Sequence, residues 1–146
     1  MLKRLKYEWA LRRLQREKVK TRTFFVEPNR AAVKSKDIAE IERLTTEEIH
    51  EMLSIEDKIS RLQTTFLIDE AQRLLIPTPA FELNEDGAWE GATTAPHYQL
   101  KREQLAALRS AIRKEKKERR EGLQSWAALL IGLVGALIGL FSAVKK

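Results

Sequence analysis

The chain has no cysteine among its 146 residues. Disulfides, thiolate metal sites and cysteine nucleophiles are therefore excluded, and the redox compartment is left open. Histidine occurs only twice, as His50 and His97. His50-Glu51 begins like the zinc-protease motif HExxH, but Ser54 stands where the second imidazole is needed to grip the metal. His97 has no second ligand at helical spacing, so both histidines read as structural. No glycine-rich phosphate loop and no G-x-S-x-G is present. The N-terminus, MLKRLKYEWALRRLQREKVKTR, has no continuous apolar run, so no signal peptide is expected. Glycine and proline are missing from Ala31 to Ile76, which leaves a long stretch free for helix. Charge is missing from Gly122 to Val144.

What is present is charge, segregated along the chain. Residues 1–36 carry 12 Lys/Arg and 3 Glu, a net charge of +9. Residues 37–90 carry 4 Lys/Arg and 14 Asp/Glu, a net of −10, and residues 91–146 carry 11 and 4, a net of +7. An acidic middle between two basic ends suggests a chain that folds back on itself. The length allows one modest domain or a few helices. Outside the last two dozen residues only a thin core is affordable, such as a helical hairpin or coiled coil.

Trp126–Val144 is 19 residues, apolar except Ser142. As a helix it spans roughly 28 Å, close to the ~30 Å hydrocarbon core of a bilayer. Trp126 sits where a headgroup-level aromatic belongs, and Lys145 and Lys146 sit where the other end emerges. The flank Arg113–Glu121 has six basic and three acidic residues. The positive-inside rule then keeps the N-terminus in the cytoplasm. The expectation is a single-pass protein with a C-terminal anchor, inserted post-translationally.

Five segments are expected. Residues 1–27 form a basic amphipathic helix ended by Pro28, which either packs on the acidic helix or lies on anionic lipid. Residues 37–76 form an acidic helical or coiled-coil segment with a break near Leu44–Thr46, where Thr45 and Glu48 have capping-box spacing. Met52, Ile55, Ile59, Leu62 and Phe66 give it a 3-4-3-4 seam. Residues 77–98 are a Pro/Trp-containing connector. It is read as an ordered loop in preference to a hairpin pairing Phe81 and Leu83 with Trp89 around the NEDG turn. Residues 99–121 form a charged juxtamembrane helix with Leu105, Leu108 and Ile112 on its apolar face and i,i+4 ion pairs beyond. Residues 122–144 form the transmembrane anchor. In it Gly135 and Gly139, extended by Ala143, make a GxxxG ridge beside a row containing Gly132 and Ala136.

The segments LLIPTPAFELNEDGAWE (74–90), LRSAIRKEKKERRE (108–121) and IGLVGALIGL resemble a group of small bacterial single-pass membrane proteins of unknown function. The order of parts is similar too: basic start, acidic middle helix, connector, anchor. The resemblance implies the bacterial inner membrane and transfers no activity and no site residues.

The expected fold is mostly α, a helical hairpin or coiled coil on one transmembrane helix. The expected role is a non-enzymatic membrane-anchored interaction or scaffold protein, with no catalytic, cofactor or metal site. Its partners would be the membrane, an unidentified protein, and a second copy through the glycine ridge. Nucleic acid ranks below anionic lipid, since no recognition module accompanies the basic arm. The alternative is a small membrane-acting effector whose transmembrane helix oligomerises and perturbs the bilayer.

Overall fold

The computed structural model describes the backbone of residues 2–82 and 87–144, and the side chains of 2–82 and 87–136. The described fold is mostly α. The elements are α1 (Leu2–Ser35), α2 (Ile38–Arg73), β1 (Trp89–Gly91), β2 (Tyr98–Leu100) and α3 (Arg102–Val144). The chain divides into two units, Met1–Leu108 and Arg109–Lys146.

One row of α1, Tyr7, Leu11, Leu14, Lys18, Thr21, Phe25, Pro28 and Ala32, is buried or half-buried throughout. Their steps alternate four and three, the repeat that keeps one face of a helix on its neighbour. Pro28 does not end the helix; it lies inside it. The expected end at residue 27 is thus corrected. A proline inside a helix costs about 3 kcal/mol, through a lost hydrogen bond and a ring clash with the preceding turn. On either side of it Phe25 and Ala32 are buried in one cluster with Leu44, against which Ile41 packs. Burying a Phe and a Leu side chain contributes about 1.5–3 kcal/mol each, enough to offset the proline.

α1 hands over to α2 in a tight reversal. Lys36 adopts a left-handed conformation (φ 57°). Its N–H donates to the Val33 carbonyl and that of Asp37 to the Ala32 carbonyl, which closes a Schellman motif. Asp37 then caps α2, its carboxylate accepting from the Glu40 N–H at 3.1 Å. α2 continues unbroken through Leu44–Thr46, so the expected restart there is also corrected. The Thr45 and Thr46 hydroxyls donate back to the carbonyls of Ile41 and Glu42 and form no capping box.

The two helices run antiparallel, because their contacts pair in reverse order. Ala32 lies by Leu44, Asn29 bonds Glu48 at 3.0 Å, Lys18 pairs with Glu56, Tyr7 stacks on Phe66 with centroids 3.9 Å apart, and Lys3 pairs with Asp69 at 3.2 Å. The exposed ion pairs are worth about 0–1 kcal/mol each, so they select the partner more than they stabilise it. Stability comes from the apolar row between them.

α2 also ends without glycine. Leu75 takes the left-handed position (φ 61°), and Leu75 N–H and Ile76 N–H close a second Schellman motif on Gln72 and Ala71. An L side chain in that region is strained by roughly 1–2 kcal/mol. The Leu75 side chain is 87% exposed, so it recovers little of that by packing. Leu75→Gly is therefore expected to stabilise the fold by about 0.5–1 kcal/mol, seen as a higher denaturant midpoint at unchanged m-value. A lower midpoint would show that this leucine packs in a way its exposure does not suggest.

The connector forms a short antiparallel ladder in which Trp89, Glu90 and Gly91 pair with Leu100, Gln99 and Tyr98. The preferred loop reading is corrected to a strand pair. The alternative hairpin had the wrong partner for Trp89, which pairs with Leu100 rather than with Phe81. Of the expected NEDG turn, Asn84, Glu85 and Asp86, with Leu83 before it, lie outside the described residues.

Candidate functional site

α2 is covered on two sides. On the first, Met52, Ile55, Ile59, Leu62 and Phe66 continue the row of Leu44 and Glu48 that meets α1. Ile55 is 1% exposed and the other four are half-buried. On the far side Asp57, Thr64, Leu67 and Ala71 are all buried. Sequence reasoning missed this second row because two of its four members are polar.

The connector explains them. Asp57, 4% exposed, accepts hydrogen bonds from the Thr94 N–H at 2.6 Å and the Thr94 hydroxyl at 2.7 Å. Burial alone would raise its pKa. The bonds from Thr94 and from the Thr93 backbone, with His97 nearby, outweigh burial and hold the carboxyl below its ordinary value. Seven residues on, the Thr64 hydroxyl accepts from the Leu100 N–H at 3.1 Å. The two polar positions thus pin the start and end of the 94–100 segment to one helix face. His97 Nε2 and Gln99 Oε1 are buried without a hydrogen-bond partner among the described residues.

An aromatic cluster rides on this ladder. Phe81 meets Trp89 and Tyr98 edge-on, with centroids 5.2 and 5.4 Å away. The Trp89 indole N–H donates to the Ala80 carbonyl at 2.9 Å, which fixes the incoming chain. Phe81 and Tyr98 are half or more exposed, so the cluster presents aromatic surface to solvent.

His50 lines an open groove of about 860 Å³ with Phe24, Phe25, Glu47 and Glu51. Glu47 pairs with Arg43, Glu48 with Asn29, Glu56 with Lys18 and Asp57 with Thr94. Among the described residues no cluster of three metal-ligating side chains occurs.

Within the second unit α3 carries solvated ion pairs, Arg119–Glu115 at 2.7 Å, Lys117–Glu121 at 3.7 Å and Lys114–Glu118 at 3.9 Å. Beyond Glu121 its large side chains, Leu123, Trp126, Leu129, Leu130, Ile131, Leu133 and Val134, are all exposed. Residues advance about 100° per step along a helix. Ala128, Gly132, Gly135 and Ala136 therefore share one side, and the larger residues occupy the rest. A Cβ built at Gly132 or Gly135 meets nothing within 4 Å. Among the described residues no helix is long and apolar enough to cross a membrane. The side chains of residues 137–144, which complete the apolar run and include Gly139 and Ala143, lie outside the described residues, as do Lys145 and Lys146.

No protein-family model, no curated protein and no solved structure matches this chain.

Proposed function

We propose that the protein is a non-enzymatic, membrane-anchored interaction protein of the bacterial inner membrane, spanning it once through residues 122–144 with its N-terminus in the cytoplasm. The observation that carries this reading is the set of exposed large apolar side chains from Trp126 to Val134, with no polar residue between them, on a helix whose sequence stays uncharged to Val144. A continuous apolar surface of that kind marks an interaction site or a membrane. Its length in the sequence favours a bilayer. The excess of basic residues from Arg113 to Glu121 supports the cytoplasmic side for α1 and α2. The resemblance to bacterial single-pass membrane proteins agrees with this location.

In this reading the hairpin and connector are the working part. The Phe81–Trp89–Tyr98 cluster is the protein-docking surface, since exposed aromatics clustered on a fixed backbone are what partner surfaces use.

The competing reading, a bilayer-perturbing effector, draws on the small-residue side of α3. Association of transmembrane helices relies on close backbone approach at such residues. Gly135→Ile places a branched side chain where the monomer has open space. It should abolish self-association in a membrane two-hybrid assay, while Leu130→Ile on the opposite side should not. Equal signals for wild type and Gly135→Ile would remove the homodimer. Overexpressed full chain should leave the membrane potential intact. Depolarisation by residues 122–146 alone would favour the effector.

A further inference from the structure

We infer that the outward face of α1 is a docking surface for anionic lipid headgroups. The inward row begins at Tyr7 and is spent on α2. A second row with the same alternating spacing points away: Leu2, Leu5, Trp9, Arg12, Arg16, Val19. All six are exposed. The helix thus does not choose between packing and lipid, because packing on α2 leaves this face open.

The order along the row is what selects lipid. Leu2, Leu5 and Trp9 gather the bulky apolar surface in the first two turns. Arg12, Arg13, Arg16 and Lys20 follow at once, all exposed. Arg13 lies over the Trp9 ring, 5.9 Å from its centroid, so indole and guanidinium are presented together. Lys3 and the inward-turned Lys18 are neutralised by Asp69 and Glu56 of α2. Arg12, Arg16 and Lys20 have no carboxylate partner among the described residues. An apolar end with an aromatic, next to unneutralised cations, is the surface of a helix that lies in a headgroup layer. A second copy presenting this same face would be repelled by its like charge. Nucleic acid would use the cations but has no use for Leu2, Leu5 and Val19.

The test uses the full chain reconstituted in vesicles carrying brominated acyl chains, made of phosphatidylcholine alone or mixed with phosphatidylglycerol. Comparing wild type with Trp9→Phe isolates the emission of Trp9. That emission should be quenched in the anionic vesicles, spared in the neutral ones, and recovered at high salt. Arg12→Gln, Arg16→Gln and Lys20→Gln should each weaken the effect about fivefold. Trp126, isolated in the same way with Trp126→Phe, reports the anchor, whose quenching should depend on neither lipid charge nor salt. Failure of the anchor and failure of α1 docking are therefore separable. Trp9 emission that is equally unquenched in both vesicles would overturn the inference. So would single-stranded RNA displacing Trp9 from anionic vesicles at a phosphate concentration below that of the lipid, which would assign the face to nucleic acid.

Discussion

Ile55→Asp is expected to unfold the Met1–Leu108 unit or bring it to the edge of unfolding. Ile55 is 1% exposed, among the most deeply buried side chains of the α1–α2 row. A carboxylate there has to be desolvated without a partner, or protonated, at a cost of about 4 kcal/mol or more. Small domains have only about 5–15 kcal/mol in total, and a two-helix core stands at the low end. Ile55→Ala should cost about 2–4 kcal/mol through the cavity alone. Ile49→Asp, at an exposed position of the same helix, should stay within about 0.5 kcal/mol of wild type. Amide hydrogen exchange across α1 and α2 reads all three. Protection that survives Ile55→Asp would mean the two helices are not held by this row.

Asp57→Ala is expected to release the connector from α2. It leaves the Thr94 N–H and hydroxyl without their acceptor, at a cost of about 3 kcal/mol. Exchange should accelerate first at Thr94, His97 and Leu100, before it does in α1. The pH dependence follows from the direction of the shift. A carboxyl whose folded pKa lies below its unfolded value stabilises the fold above the unfolded value and loses that contribution as pH falls through the folded one. Wild type should therefore keep connector protection above the ordinary carboxylate range and lose it as pH falls below that range. Asp57→Ala should lack the acid step altogether. A variant that keeps both the protection and the step would place the clamp elsewhere.

The segregation of charge that brings a basic helix against an acidic one was legible because charge is written directly in the sequence, but the sequence left packing and lipid as alternatives for the basic helix. The 3-4 repeat from Met52 to Phe66 can be read without knowledge of the partner, and these five residues are buried or half-buried. Pro28 misled because the penalty of a proline is local while its compensation, Phe25 and Ala32 against Leu44, arises from the next helix. Asp57 and Thr64 could not be found by hydropathy. A buried carboxylate that serves a backbone 37 positions later has the same letter as one in water. The strand pair was misassigned for a related reason. NEDG is the stronger local turn signal, but the pairing of Trp89 with Leu100 brings the Leu100 N–H to Thr64. The left-handed turns at Lys36 and Leu75 lacked the glycine that would have announced them.

The most direct test of the account is fractionation of bacteria expressing the full chain and a chain ending at Glu121, with alkaline carbonate and high salt to strip peripheral contacts such as those of α1. The full chain should stay in the membrane pellet and the shortened chain should be released. A full chain that carbonate extracts, or a shortened one that resists it, would contradict anchoring by residues 122–144.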